Sequence, residues 1–443
     1  MATRKSAAYK ALKAYIRFMV EKVYYRKSHY LDVGNLPEDG TPILIVSNHQ
    51  NCLNDALGLL LGIKDRFVRF IARADIFAVH PLLGKFLRSL GLLPAFRINY
   101  EGEQALANNG STFQQSEETL NNGGSVVIYP EAGHQDKHWL GTFSYGYTRM
   151  AFEAAKASGF QKDIVIMPTC NHYSGYFGLR NSILIRFGTP VSLKPFYELF
   201  QTKPRTAQRE VHKLVREQIS SMMLNIEDLD NYPVIDYIRT SAFGDEFCSG
   251  CGADPGFLPG KLEADKKLVS ILANGDTASI YDDTRTLLEG MAKAGLSEKS
   301  MVRNHSTAAT ILHACALVIL APLALFCIWP SMPVYYIAKY FTDRVGDKML
   351  SGSFLIGISV LITLPLAAII TLIAVWCCKS FLVALVYILL FPAICLFEWH
   401  YSRLLLAFRE RLRGMKAASN GTLDSLKDLR KDIFRRLREI CKH

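Results

Sequence analysis

From Ala308 to Ile328 the chain runs through an apolar stretch without one Asp, Glu, Lys or Arg, and this limits the possible folds more than any other feature. About 20 such residues in a helix reach across the hydrocarbon core of a bilayer. A buried helix of a water-soluble core shows a polar face, and this stretch has none. Phe354 to Cys378 is a second stretch of the same kind, and Phe381 to Phe397 a third of marginal length. Pro330 and Pro333 are expected to split the first from Val334–Ala338, which is too short to span. Residues 306–400 are therefore expected to form a membrane region of inserted helices.

Orientation follows from charge. Basic clusters lie at Arg403–Lys416 and Arg430–Arg438, and cytoplasmic flanks are enriched in Lys and Arg. The expectation is an integral membrane protein whose catalytic domain and tail both face the cytoplasm, with an even number of crossings and Lys379-Ser380 at a hairpin tip. Across the 443 residues, 51 basic against 40 acidic side chains leave a net charge of +11. A basic protein with apolar runs suits an anionic membrane surface. No nucleic acid is expected as a partner, because the basic residues gather at the two ends and beside apolar segments, without a zinc finger, RNA-recognition signature or basic zipper. Of the ten cysteines, only Cys248 and Cys251 form a Cys-x-x-Cys pair. They are expected as two reduced cysteines in a loop, and no second pair stands at zinc-ligand spacing. No metal is expected, and the soluble part is assigned to a reducing compartment.

Ahead of the apolar region the pattern changes. From about Gly34 to Phe200, short apolar runs alternate with helical periodicities. Strands are expected at Ile43–Ser47, Phe67–Ala72, Val126–Tyr129, Ile164–Met167 and Ile183–Phe187. Helices are expected at Ala56–Leu61, Pro81–Ser89, Ser111–Asn121, Arg149–Ala157 and Thr206–Asn225. Such alternation argues for an α/β domain. Residues 1–30 read as a basic amphipathic helix, either packed on the domain or lying on a membrane. Residues 31–225 form the catalytic domain, 226–305 a helical connector, 306–400 the membrane region and 401–443 a basic amphipathic tail. In that tail Leu426, Leu429, Ile433, Leu437 and Ile440 fall at helical spacing, which leaves self-association and membrane contact both open.

Two strand ends carry the chemistry. Ile43–Val46 lead into Ser47-Asn48-His49, and Asp55 follows near the start of a helix. On one continuous helix, His49 and Asp55 would lie about 240° apart. They meet only if His49 sits on the turn before the helix. That geometry gives an imidazole backed by a carboxylate, which activates a hydroxyl group. Val126–Tyr129 run into Pro130-Glu131-Ala132-Gly133. Ligands gather at the carboxyl ends of strands in α/β sheets, so both clusters are expected to share one site.

These residues resemble the glycerolphosphate acyltransferase superfamily, whose signature is Asn-His-x4-Asp followed by Phe-Pro-Glu-Gly. Four blocks match in order over roughly Tyr24 to Pro190: Asn48-His49 with Asp55, then Leu92-Leu93-Pro94-Ala95-Phe96-Arg97, then Tyr129-Pro130-Glu131-Ala132-Gly133, then Val165-Ile166-Met167-Pro168. Two positions depart from the pattern. Asn54 stands where the acid usually is, and the acid comes one residue later. If the usual spacing held, Asn54 would orient His49 without a charge. Together with Gly133-His134-Gln135-Asp136 and Gly146-Tyr147-Thr148-Arg149, the longer spacing is similar to that of the fungal glycerol-3-phosphate and dihydroxyacetone-phosphate acyltransferases. Ala132 replaces a glycine, which leaves Gly133 for close approach of a phosphate.

The resemblance implies an acyltransferase-type mixed sheet with flanking helices, followed by C-terminal transmembrane helices. It implies transfer of a fatty acyl group from acyl-CoA or acyl-carrier protein to glycerol-3-phosphate, or alternatively to 1-acylglycerol-3-phosphate. Transfer is direct, with no covalent acyl-enzyme and no cofactor beyond the acyl donor. His49 is then the base and Asp55 its orienting acid. Asn48, Arg97, Glu131, Gly133 and His134 are the substrate-binding residues, Arg97 for the phosphate and Glu131 for the acceptor hydroxyls. Membrane lipid, the glycerol phosphate acceptor and the acyl donor are the expected partners. Asp136, and His172 placed after the fourth strand, are further candidates to line the site. A non-catalytic membrane scaffold is the alternative of a different class, and the intact His49, Asp55, Arg97 and Glu131 argue against it.

Overall fold

The computed structural model describes residues 7–63, 66–78, 81–96, 104–131, 133, 137–303, 305–345, 352–358, 366, 369, 372–373, 376–377 and 379–442. Arg97, His134 and Asp136 lie outside the described residues, as does most of Phe354–Cys378. The chain separates into two compact units. Unit 1 is Met1–Asn225 with Asp347–Ile356, and unit 2 is Ile226–Gly346 with Gly357–His443.

Unit 1 begins with α1 (Ala7–Phe18), continued by a π-helical stretch, Met19–Tyr24. Its strands are β1 (Lys27–Leu31), β2 (Ile43–Ser47), β3 (Val68–Arg73), β4 (Leu92–Ala95), β5 (Ser125–Ile128), β6 (Val165–Tyr173), β7 (Ser182–Phe187) and β8 (Val191–Ser192). They form one sheet in the order β1-β7-β6-β2-β5-β3-β4, with β8 also on β6. β2 runs parallel to both β5 and β6, whereas β6 and β7 are antiparallel. The sheet is therefore mixed, as the resemblance implied. Its helices are α2 (Leu53–Gly62), α3 (Ala74–Ala78), α4 (Pro81–Ser89), α5 (Gln104–Asn121), α6 (Gly146–Ala157), α7 (Tyr197–Thr202) and α8 (Pro204–Met222).

All five residues of β2 are buried, as an unbroken apolar run requires when a parallel strand is covered on both faces. Leu44 and Val46 join Tyr147, Met150 and Phe152 of α6 and Val211, Val215 and Ile219 of α8 in one core. α2 lies against β7, where a Cβ at Gly58 would stand 2.6 Å from Cδ1 of Ile183. Any larger residue there would push the isoleucine side chains of β7 aside. α1 holds the far end of α2: Lys13 Nζ donates to the Ile63 carbonyl at 3.3 Å and Arg17 Nη2 to that of Leu61 at 3.0 Å. Cations at the carbonyl end of a helix complement its dipole. The N-terminal basic helix thus packs on unit 1.

Unit 2 is helical, comprising α9 (Tyr232–Thr240), α10 (Ala242–Gly250), α11 (Leu258–Asn274), α12 (Ala278–Ala294), α13 (Glu298–Val302), α14 (Thr307–Val345), α15 (Phe381–Ser419) and α16 (Thr422–Ile440). Cys248, buried, lies in α10, and Cys251, exposed, follows its end; both are free thiols. α14 runs unbroken through Pro330 and Pro333, contrary to the expected split. Proline fixes a helical φ but costs one N–H bond and crowds the carbonyl four residues back, which can bend a helix rather than end it. Thr307–Ile328 is the one stretch among the described residues long and apolar enough to cross a membrane. α14 packs antiparallel on α15: a ring nitrogen of His313 meets the Leu404 carbonyl at 3.1 Å, and Tyr401 Oη donates to that of Leu317 at 3.2 Å. Ahead of α15, Lys379 has a φ of +50° and Ser380 is extended, so neither is helical.

The C-terminal stripe corrects another expectation. Leu423, Leu426, Ile433, Phe434 and Leu437 of α16 are buried, and Leu426 rests where a Cβ on Gly290 of α12 would clash at 2.5 Å. Arg438 adds a two-pronged bond to Glu246 at 2.7 and 2.8 Å. The apolar face expected to serve self-association or membrane contact is occupied within its own unit.

Candidate active site

β2 and β5 end side by side because they are parallel neighbours, and the loops leaving them carry the two polar clusters. α2 begins at Leu53, so His49 sits on the turn before the helix and Asp55 in its first turn. The two meet, with His49 Nδ1 2.8 Å from Asp55 Oδ2. Asn54 takes no part; its amide donates to Asn51 Oδ1 at 3.0 Å. The acid six residues after the histidine is the partner, and the alternative spacing through Asn54 is excluded.

Asp55 is completely buried, and its charge is met by four donors. Oδ2 accepts from His49 Nδ1 and from the backbone N–H groups of Gln50 and Asn51, at 2.8 and 2.9 Å. Oδ1 accepts from Tyr173 Oη at 2.5 Å. A buried carboxylate is tolerated only with such pairing. Being acceptor-only when ionised, it fixes the proton on Nδ1 and leaves the lone pair on Nε2. The imidazole is 18% exposed against 0% for the carboxylate, so its outer edge faces outward while its orienting acid is sealed. The Tyr129 ring stacks on His49 at 4.4 Å and 24°, presenting a π-face to the imidazolium that forms on protonation. Burial pushes the Tyr129 and Tyr173 phenols well above their ordinary range, and the Asp55 charge adds to this.

Glu131 Oε1 accepts the His49 backbone N–H at 2.8 Å and Oε2 that of Gly141 at 3.0 Å. The two bonds tie the loops after β2 and β5 together. Burial raises its carboxyl to about 7, outweighing the two N–H bonds that favour the anion. Asn48, expected to bind substrate, is fully buried. Its amide donates to the Asn171 carbonyl at 3.0 Å and accepts the Asn171 N–H at 2.7 Å. It ties the end of β2 to β6. Among the described residues, a Cβ at Gly133 would meet the Glu131 carbonyl at 3.9 Å and nothing nearer.

His172 lies within β6 rather than after it, buried, with its ring 4.9 Å from that of His138. His138 Nδ1 is 2.9 Å from Tyr176 Oη. Around the same turn, Gln50 Nε2 donates to the Lys137 carbonyl and Asn51 Nδ2 to that of Tyr176, both at 3.2 Å. The Arg149 guanidinium lies 5.8 Å over the Phe113 ring. Two residues that sequence reasoning missed are Tyr173, the second support of Asp55, and Tyr129, the platform under His49. Reading β6 beyond Met167 would have offered a signal: Thr169, Asn171 and Tyr173 alternate onto one face.

Residues 24–171 match the family model described as Acyltransferase. A chloroplastic 1-acyl-sn-glycerol-3-phosphate acyltransferase of Arabidopsis thaliana is 30% identical over 125 residues, covering 28% of this chain and 31% of that protein. Glycerol-3-phosphate O-acyltransferase 2 of Saccharomyces cerevisiae is 28% identical over 132 residues, covering 30% of this chain and 18% of that protein. The chain thus spans less than a third of the length of these two curated relatives. Among solved structures, the 1-acyl-sn-glycerophosphate acyltransferase PlsC from Thermotoga maritima is similar with a TM-score of 0.32 and 15% identity, over 48% of this chain and 79% of that one.

Proposed function

We propose that this chain, whose residues 24–171 form an acyltransferase-family domain, transfers a fatty acyl group from a thioester donor to a hydroxyl of glycerol-3-phosphate. The observation that carries the reading is the His49–Asp55 contact at 2.8 Å with the carboxylate sealed behind the ring. His49 Nε2 takes the proton of the acceptor hydroxyl as its oxygen attacks the thioester carbonyl carbon. The C–O bond forms, the C–S bond breaks, and the leaving thiolate recovers the proton from the imidazolium. Asp55 keeps the ring in the right tautomer and stabilises the imidazolium, as in other histidine–acid pairs. General-base help of this kind contributes about 10²–10⁴-fold. Acyl-CoA or acyl-carrier protein serves as donor, no further cofactor takes part, and Arg97 is the group proposed for the acceptor phosphate.

Glycerol-3-phosphate is favoured by the acid standing six residues after the histidine and by the yeast relative that bears that substrate's name. The second reading, 1-acylglycerol-3-phosphate as acceptor, is favoured by the Arabidopsis relative. Full-length protein purified in detergent, given labelled acyl-CoA or acyl-carrier protein with each acceptor in turn, separates them. Labelled lysophosphatidate is the expected product; phosphatidate alone would select the second reading, and no product from either acceptor would overturn the proposal. We also place the enzyme in a membrane through Thr307–Ile328, with its catalytic domain toward the cytoplasm. Release by high-pH carbonate would refute the insertion.

A further inference from the structure

After α14 the chain returns to unit 1 for Asp347–Ile356 before rejoining unit 2. Residues 352–356 of that visit are helical, with Ser353 8% exposed and Ile356 buried. Ser353 Oγ lies 2.9 Å from the backbone nitrogen of Leu53 and accepts its N–H. Leu53 opens α2, the helix that carries Asp55 two residues later. The first N–H groups of a helix have no partner within it and are met by a cap. Cys52, at the usual capping position, supplies no side-chain cap and stands at a φ of +46°, in the region that side chains other than glycine rarely adopt. The Asn54 N–H is met locally by the Asn51 carbonyl at 2.9 Å, whereas the Leu53 N–H is met by a serine 300 residues downstream.

The neighbouring glycine fits the same docking. A Cβ on Gly352 would stand 3.1 Å from Asn54 Nδ2 and 3.2 Å from Tyr24 Oη, tighter than ordinary contacts. Tyr24 Oη in turn reaches the Gly352 carbonyl at 3.5 Å. Gly352 allows close approach, and Ser353 places a hydroxyl at the helix start.

We propose that Ser353 is a positioning residue for acyl transfer: it caps α2 and thereby fixes the turn from Asn48 to Asp55 on which His49 is held. This rests on the acyltransferase reading above. Ser353 touches no reacting atom. It acts through Asp55, whose place in the first turn depends on where the helix begins. Because Ser353 directly precedes Phe354–Cys378, the catalytic turn is tied to the start of that apolar stretch.

The test uses full-length protein, two Ser353 variants, and Asp55→Asn with and without Ser353→Ala. Ser353→Ala removes the acceptor, and Ser353→Thr keeps a capping hydroxyl. Ser353→Ala should lower kcat about tenfold, the rate equivalent of a lost cap, and leave the acceptor KM unchanged. Ser353→Thr should recover most of that loss. Amide exchange over residues 50–56 should quicken in Ser353→Ala, but not in Ser353→Thr, while the rest of unit 1 exchanges as before. In an Asp55→Asn background, Ser353→Ala should cost little more, since residues acting through one another are not additive. Unchanged exchange over residues 50–56 in Ser353→Ala, a full additive loss in the Asp55→Asn background, or a threonine variant no better than alanine would each overturn the proposal. Should the wild-type protein transfer no acyl group, the acyltransferase reading falls, and amide exchange alone still decides whether Ser353 caps the helix.

Discussion

The turn from Asn48 to Asp55 and the paired helices α14 and α15 handle the same problem in opposite ways. In the turn, polar groups are withdrawn from water and each charge is met: Asp55 collects four donors, Glu131 two and Asn48 a backbone pair. On the helices, apolar side chains face outward, with Leu312 74% and Ile319 75% exposed on α14, and Phe381, Leu382 and Leu389 similarly open on α15. A contiguous apolar surface of that kind marks contact with a partner or with lipid. Removing one donor from the turn leaves a buried charge short of a partner, whereas removing one leucine from the helices leaves the rest of the surface as it was. The turn should therefore be sensitive to single atoms and the helices to polarity alone.

The largest effect expected is at the turn. His49→Ala should lower acyl transfer by about two orders of magnitude or more, with the circular dichroism and melting of the wild-type protein retained. Near-wild-type turnover would remove His49 from the reaction. Next comes a pair of neighbours that differ in one contact. Asp55→Asn should cost about a hundredfold or more in kcat, since the ring loses its orienting charge. Asn54→Ala, which loses bonds to Asn51 and Tyr24 but none to His49, should cost about threefold; steady-state rates with the reverse ranking would break the assignment.

For the helices, the measurement is partition between membrane and soluble fractions. Ile319→Lys and Leu312→Lys should each weaken insertion, by about 3 kcal/mol near the centre of a spanning helix, whereas Leu312→Ala should leave the membrane fraction unchanged. Equal behaviour of the lysine and alanine variants would mean that this face meets no hydrocarbon. The smallest effect concerns Glu131, raised from 4.5 to about 7 by burial. A carboxyl with a raised folded-state pKa contributes stability that is full below its unfolded value and is lost as pH rises through the folded one. Thermal stability of the wild-type protein should therefore decline between about pH 4.5 and 7 and then level off. In Glu131→Gln that part of the decline should vanish, which melts at pH 5 and 8 would show.

Much of the sheet was legible because its inner strands are short apolar runs. β2 matches its expected bounds, and β7 differs by one residue. The two strands overlooked between Lys27 and Ala95 are β1 and β4, the ends of the sheet order. Lys27-Ser28-His29-Tyr30-Leu31 lacks an apolar run because one side is unpaired, and Pro94 interrupts β4, as an edge strand permits. At the site, His49 and Asp55 were legible from local spacing. Tyr173 and Ser353 were not, because nothing near them in the chain signals a partner more than a hundred residues away. Asn48 and Glu131 were visible as polar residues at strand ends, but their partners are backbone groups, and sequence does not say which backbone groups meet.

The parallel pairing of β2 with β5 and β6 also sets a schedule. The contacts that complete the turn span 82 residues to Glu131, 118 from Asp55 to Tyr173, 123 to Asn171 and 300 to Ser353. On a ribosome adding about 5–20 residues each second, His49 emerges long before any of these partners exists. Until then Asp55 has no Tyr173 and β2 is an apolar strand with two open edges, the kind of segment that pairs wrongly when left waiting. The turn from Asn48 to Asp55 is thus completed late, although its own residues are among the first to be made.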